Sequence, residues 1–524
     1  MRSDLRALCE RRPEILANAG HGIEKEGLRV SPDGYLSSRA HPAQLGSALT
    51  HPNITTDFSE AQLELITGVQ PSAVACLNEL DQVQRFVYSQ LGDELIWPTS
   101  MPCMLGEDDS IPLGQYGSSN IAQAKTLYRS GLGVRYGRLM QTISGIHYNF
   151  SLPDAFWDAL AEATGLGDPI ARRDQRTTAY FDLIRNFRRH AWLLLYLFGA
   201  SPAICRTFIG ERSHSLATLD NGTLYLPQGT SLRMGPLGYQ SDAQAALHVS
   251  YNSLADYAAT IVRALTQAHP PYREAGVKKD GEFQQLNDSI IQIENEFYGA
   301  IRPKQPTQPG ERPLLALKRR GVAYVEVRCL DLNPFEPLGM SLSDALFIDT
   351  FLVTCLLKES PADDRTESER NATNQRDVVT RGRAPGLTLM DDTGPVALSA
   401  WAERILDDCA QTASLLDAAY GGEGHSAAVR AQRAKVWDPE QTPSAQVLRA
   451  LEDQQVPFFR FAMNAAKAFA ASAAEKPLSS ADMAYFTELA TRSLSDQASL
   501  EAAEQLPFEL FLRDYLALSE EALA

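Results

Sequence analysis

The sequence predicts an α+β chain that ends in a helical region. Two patterns predict it. Through the first 340 or so residues, short β-like runs bounded by Gly, Pro and Asn alternate with helical stretches in which apolar residues recur at three and four, and from about residue 397 onward the chain is Ala-rich and reads as helices. Composition sets the outer bounds. The chain has 524 residues, 44% of them apolar and 22% charged, a balance that folds rather than stays disordered. Lys and Arg number 48 against 65 Asp and Glu, a formal charge of −17. That acidic balance argues against a nucleic-acid partner, which needs a basic face, but leaves room for a local pocket that takes a small anion.

The N-terminus is interrupted by charge at Arg2, Asp4 and Arg6, too early for a secretory leader. The longest apolar run, 191–200, is far short of the ~20 residues a membrane span requires. A cytoplasmic chain without membrane attachment is expected. Seven cysteines (9, 76, 103, 205, 329, 355, 409) show no CxxC spacing and read as reduced, buried thiols. Helices are expected at 73–91 and 177–197. The Pro-rich stretch 303–313 reads as a loop, and 359–376 as a polar connection. Further helices are expected at 397–419, 444–453, 458–474, 480–494 and 507–522.

Acids sit on alternating runs. In 321–330, Ala323, Val325, Val327 and Cys329 form one face, while Tyr324, Glu326 and Arg328 form the other. In 142–151, Gly145, His147, Asn149 and Ser151 share the polar face. In 22–30, Glu24 and Glu26 point the same way and repel unless water or a cation screens them. In 55–67, Glu64 lies inside an apolar run, where an unpaired carboxylate is costly, and Asp57 precedes a turn. Each run has a plain alternative, a strand with one solvated face. If the runs converge, Glu24, Glu26, Asp57, Glu64 and Glu326 with His147 suit Mg²⁺, and the imidazole also admits Mn²⁺. Arg129, Arg233 and Arg302, beside Tyr128, Tyr239 and Tyr298, supply guanidinium and aromatic groups for a carboxylate or phosphate. No P-loop, HExxH or GxSxG is present, and residues 131–137 are one residue too long for GxGxxG, so any ATP chemistry here runs by metal–phosphate bridging on a sheet.

Several longer segments resemble bacterial glutamate–cysteine ligase of the proteobacterial type, the γ-glutamylcysteine synthetase family. They are residues 22–30, LGSALTHPNITTDF (45–58), WPTSMPC (97–103), YGRLMQTISGIHYNFSLP (136–153), FGASPAIC (198–205), IQIENEFYGAIRPK (291–304), YVEVRCLDLNP (324–334) and PGLTL (385–389). The resemblance implies a glutamine synthetase/creatine kinase-like fold, an antiparallel sheet curled into a funnel with helices outside. From the Ala-rich shift along the chain, a catalytic domain over 1–395 is expected with the helical region 396–524 packed on it. The resemblance also implies ATP-dependent joining of the L-glutamate γ-carboxylate to the L-cysteine amine through a γ-glutamyl phosphate, the first step of glutathione synthesis, by an enzyme compatible with a monomeric state. On this resemblance Glu24, Glu26, Asp57, Glu64, His147 and Glu326 hold Mg²⁺, with Mn²⁺ as a substitute. Arg328 faces the transferred phosphoryl group. Tyr128, Arg129, Gln141, Arg233, Tyr239 and Tyr298 belong to the amino-acid pocket, with Phe58 and Leu132 near the cysteine thiol. Lys25 and Gly27 depart from the family pattern, where Arg and Thr are expected. Three other readings keep the same acids: a ligase for a different amine, a metal-dependent phosphohydrolase, and a non-catalytic binding subunit.

Overall fold

A computed structural model describes residues 3–238, 242–245, 247–308, 310–503 and 506–523. The centre is an antiparallel sheet built from β1 (Gly20–Val30), β2 (Ile54–Thr56), β3 (Gln62–Ile66), β4 (Leu95–Ile96), β5 (Ile146–Ser151), β6 (Ile301–Lys304) and β7 (Tyr324–Leu330). The spatial order is β6-β7-β5-β1-β3-β2, with β4 paired to β1. Helices α1 (Ala73–Gln90), α2 (Asn120–Tyr136), α3 (Pro169–Phe198), α4 (Leu342–Leu357) and α5 (Arg365–Arg381) surround it. The helical region follows as α6 (Leu398–Tyr420), α7 (Gly424–Trp437), α8 (Pro443–Gln454), α9 (Phe458–Glu475), α10 (Ser480–Ala503) and α11 (Phe508–Leu516).

Alternation explains the layering. Ile23, Leu63, Leu65, Ile146, Tyr148, Phe150, Val325 and Val327 all point to the back of the sheet and are buried there. Each such side chain contributes roughly 1.5–3 kcal/mol when removed from water. The back is covered by α1, α3 and α4. Helix starts are fixed by side chains that accept orphan N–H groups: Ser72 for α1, Ser119 for α2, Asp168 beside Pro169 for α3, and a Ser341–Asp344 capping box for α4. Helices α6 and α7 pack on each other and α7 on α4, so residues such as Leu406, Cys409 and Val429 join the same core.

Behind the sheet, His21, Asp349 and Tyr148 form a buried triad. His21 Nε2 lies 2.9 Å from Asp349 Oδ2, and the Tyr148 hydroxyl donates to Asp349 Oδ1 at 2.8 Å. Burial pulls the His21 imidazole down, but the Asp349 carboxylate outweighs it, so the pKa lies above the usual 6.5. A raised histidine pKa stabilises the fold below the unfolded value, and the contribution is lost as pH rises through the folded value. Asp349→Asn should therefore destabilise the protein by about 3 kcal/mol at pH 6. Urea unfolding should show a smaller difference at pH 9; an equal loss at both values would assign no role to the His21 charge.

The structure corrects several expectations. Residues 359–376 are not a plain connection: α5 occupies 365–381. Asp364 caps it, Asn371, Asn374 and Val378 bury one face, and Arg365–Glu369 and Arg381–Asp377 pair along the rest. Pro303 lies in β6 rather than in a loop, because β6 is an edge strand and a missing N–H costs nothing on its open side. Helix α3 starts earlier than expected, at Pro169, and α10 runs on to Ala503. The expected helix 507–522 breaks after Leu516, and α7 was not expected at all. Finally, the cysteines are not all free thiols. Cys103 and Cys205 form a disulfide with Cα atoms 5.4 Å apart, while Cys9, Cys76, Cys329, Cys355 and Cys409 are free and buried. A pairing across 102 residues has no spacing signal, since it depends on two distant segments meeting in one core cluster. Among the described residues no helix is long and apolar enough to cross a membrane.

Candidate active site

Register brings the polar residues together on the front of the sheet. Glu24 of β1 pairs with His147 of β5, Glu26 with Glu64 of β3, and Glu326 of β7 with Asn149 of β5 and Arg302 of β6. These residues come from five neighbouring strands. Asp57 arrives from the β2–β3 turn, which is closed by its own N–H donating to Gln62 O at 3.0 Å. Arg129 of α2 pins that turn by donating to the carbonyls of Asp57 and Thr56. The pairing between β5 and β7 shifts register between Val327 and Leu330, and Arg328 sits in that irregular stretch.

The front face divides into two charge environments. Around Glu326 the protein supplies the cations: Lys304 Nζ at 3.2 Å, Arg328 Nη1 at 3.1 Å and Arg302 Nη1 at 4.0 Å. Burial pushes the Glu326 carboxyl up, but Lys304, Arg328, His147 and Arg302 outweigh it and hold it well below the usual range. Around Glu64 the balance is reversed. Burial, followed by Glu24, Asp57 and Glu26, holds its carboxyl well above the ordinary value. Burial and then Asp57 push Glu26 up to about 8, against Arg233.

That acid group fits a divalent ion. Glu24, Glu64 and His147 each offer a ligand atom, all within 4.8 Å of one another. His147 Nδ1 lies 3.1 Å from Glu24 Oε2 and 3.3 Å from Arg328 Nη1. One ring nitrogen cannot donate to the carboxylate and accept from the guanidinium at once. Burial and then Arg328 lower the His147 pKa, so the ring is neutral and keeps a lone pair for a cation. Among the described residues, the Asn149 Oδ1 beside Glu326 is buried without a hydrogen-bond partner, while Glu326 Oε2 is paired with Arg328 Nη1.

The front face opens into a cavity of about 270 Å³. Glu26, Asp57, His147 and Arg328 line it together with Phe58, Tyr128, Arg129, Leu132, Gln141, Arg233 and Tyr298. Glu24, Glu64 and Glu326 join through the cluster contacts above. Tyr239 lies outside the described residues. Arg129 lines the cavity, yet its guanidinium is engaged by backbone carbonyls and stacks on Tyr116. The Gln141 amide lies 3.4 Å from the Tyr298 hydroxyl.

Sequence reasoning missed Glu296 and Asp331. Glu296 lines the cavity and binds Arg135 at 3.0 Å and the Tyr136 hydroxyl at 2.6 Å, with its side chain fully buried. Neither acid lies on a periodic strand face, so alternation gave no signal for them. Pro303 hides the strand that carries Arg302 and Lys304, so alternation does not place these two cations opposite Glu326.

Comparisons with known proteins show the family. The protein-family model described as glutamate-cysteine ligase matches residues 5–378. The chain is 50% identical over 504 residues to the glutamate–cysteine ligase of Pseudomonas entomophila (strain L48), covering 96% of this chain and 95% of that one. It superposes on the crystal structure of glutamate–cysteine ligase from Francisella tularensis in complex with AMP, with a TM-score of 0.89, 36% identity, and coverage of 95% of this chain and 98% of that one. It also matches a bifunctional glutathione synthetase from Pasteurella multocida, with a TM-score of 0.73 and 25% identity over 93% of this chain and 58% of that one.

Proposed function

Because the chain belongs to the glutamate–cysteine ligase family and joins L-glutamate to L-cysteine with ATP, we propose that it does so through a γ-glutamyl phosphate formed on the front of the sheet. The reaction is the first step of glutathione synthesis. The observation that carries the mechanism is the division of charge: an acid group around Glu64 in which burial and like charge outweigh the nearby cations, next to the cation-rich Glu326 and Arg328, with Glu26, Asp57, His147 and Arg328 lining one cavity. We take the sheet to have the glutamine synthetase-like curvature that the sequence resemblance implies.

A carboxylate is a poor electrophile, so it must first be phosphorylated. Phosphoryl transfer needs positioning and charge neutralisation more than covalent help from the protein. Glu24, Glu26, Asp57, Glu64, His147 and Glu326 are the residues that would hold Mg²⁺, or Mn²⁺ in its place. Bound there, the metal would supply Lewis-acid neutralisation of phosphate charge. Lys304, Arg302 and Arg328 add positive charge on the β6–β7 side, where the triphosphate would lie. Arg328 faces the transferred group and stabilises its equatorial oxygens. The glutamate γ-carboxylate oxygen attacks the γ-phosphorus and ADP leaves. The free amine of cysteine then attacks the acyl carbon and phosphate leaves. Arg233, Tyr128, Gln141, Tyr298 and Arg129 form the amino-acid pocket, with Tyr239 as a further candidate from the sequence, and Phe58 and Leu132 beside the thiol.

The test is phosphate release with ATP and Mg²⁺, adding glutamate and cysteine singly and together. One phosphate per peptide bond, dependent on both amino acids, is expected. Full turnover with neither amino acid would instead favour a phosphohydrolase. Replacing cysteine with 2-aminobutyrate or ammonia should lower kcat/KM, and a preference for ammonia would point to another ligase. A further variant probes the pocket wall. A Cβ at Gly145 would lie 2.2 Å from Arg233 Nη2. Gly145→Ala should displace the guanidinium and raise KM for glutamate about tenfold while the fold survives; steady-state kinetics with an unchanged KM would remove Arg233 from the glutamate site.

A further inference from the structure

We propose that Asp331 is a positioning residue that aims Arg233 at glutamate by tying three segments together behind it; this rests on the reading of Arg233 as part of the amino-acid pocket. Asp331 directly follows β7, three residues after Arg328, and its side chain is fully buried. Its Oδ2 accepts from the Ala200 N–H at 2.9 Å and from the Ser201 hydroxyl at 2.6 Å. Its Oδ1 accepts from the Ser231 hydroxyl at 3.0 Å. Ser201 and Ser231 also share a backbone bridge, and the Leu232 N–H donates to Ser201 O at 2.7 Å. One carboxylate therefore joins 200–201 and 231–232 to the end of the strand that carries Arg328.

Arg233 comes next in the chain. Its Nη1 lies 3.8 Å from Asp331 Oδ1, and its Nη2 donates to the Arg328 carbonyl at 2.9 Å. The guanidinium packs on Gly145 so closely that an added Cβ there would lie 2.2 Å from its Nη2. Asp331 thus supplies both the hydrogen-bond frame and the counter-charge that a buried guanidinium requires. A neutral amide could keep part of the frame but not the charge. The arrangement also puts the group facing the phosphoryl transfer and the group facing the amino acid on one rigid support, since Arg328 provides the carbonyl that Arg233 binds.

The test is the pair Asp331→Asn and Arg233→Ala, alone and combined, in the full-length enzyme. Asp331→Asn should raise KM for glutamate about tenfold and leave KM for ATP within about twofold. On the Arg233→Ala background it should add no further rise, because the residue it positions is gone. A general loosening of the fold would raise both KM values and would add to Arg233→Ala, which would overturn the proposal. If Arg233→Ala raises KM for glutamate while Asp331→Asn does not, the proposal is also overturned. If Arg233→Ala itself leaves that KM unchanged, it is the pocket reading that fails. Should Asp331→Asn not fold by thermal melting, Ser231→Ala removes a single donor from the same carboxylate. It should raise KM for glutamate about threefold, and no rise would overturn the proposal.

Discussion

Replacing Arg328 with Met should lower kcat by roughly 10³-fold and change KM for ATP much less. Of the three cations around Glu326, the Arg328 guanidinium is the one that lines the cavity, beside Glu26 and His147. Its Nη1 lies 3.1 Å from Glu326 and 3.3 Å from His147, so two neighbours fix it in place. Met keeps the aliphatic stem and removes the planar donor array. A group that acts on charge appearing only in the transition state affects kcat rather than binding. Lys should restore only part of the rate, because a point charge does not span two phosphoryl oxygens. Phosphate release under saturating substrates measures this. A Met variant within tenfold of the parent would mean that Arg328 is an ion-pair partner of Glu326 and nothing more.

Glu64→Gln should have effects of opposite sign on activity and on stability. Glu64 pairs in register with Glu26 and offers an oxygen close to Glu24 and His147. Its carboxyl is held up by burial and by three neighbouring acids, so the metal-free fold carries an uncompensated cost there. The amide removes one source of that repulsion and should stabilise the metal-free protein by about 1 kcal/mol. It also weakens the site a cation would fill, and activity should fall on the order of 10²-fold or more. Mg²⁺ should raise the melting temperature of the parent, as any ligand of the native state does, and raise that of the variant much less. Thermal melts with Mg²⁺ and with EDTA check both signs. Loss of activity accompanied by loss of stability in EDTA would mark Glu64 as a structural acid.

Most of the front face was legible because strand alternation is a strong constraint: once the backs of 142–151 and 321–330 are apolar, the fronts must carry His147, Glu326 and Arg328. The resemblance to a family then supplied what alternation could not, namely that these acids and His147 share one site. What stayed hidden has physical reasons. Pro303 reads as a breaker in sequence, although an edge strand tolerates it, so Arg302 and Lys304 were not seen as cations facing Glu326. The polar sequence of α5 buries only a narrow face of asparagine and valine. The Cys103–Cys205 pair and the role of Asp331 depend on segments about 100 residues apart meeting in space, which no local pattern reports.

We propose that strands distant in the chain assemble a carboxylate-and-imidazole site for a divalent ion next to Arg328. Electron paramagnetic resonance of Mn²⁺ titrated into the purified protein tests it most directly, compared with Glu24→Gln and His147→Ala. Glu24 is a useful target because it contacts both His147 and Asn149. The expected result is saturable Mn²⁺ binding by the parent, displaced by Mg²⁺ and weakened at least about tenfold in each variant. Binding of equal strength and stoichiometry in all three proteins would contradict the assignment.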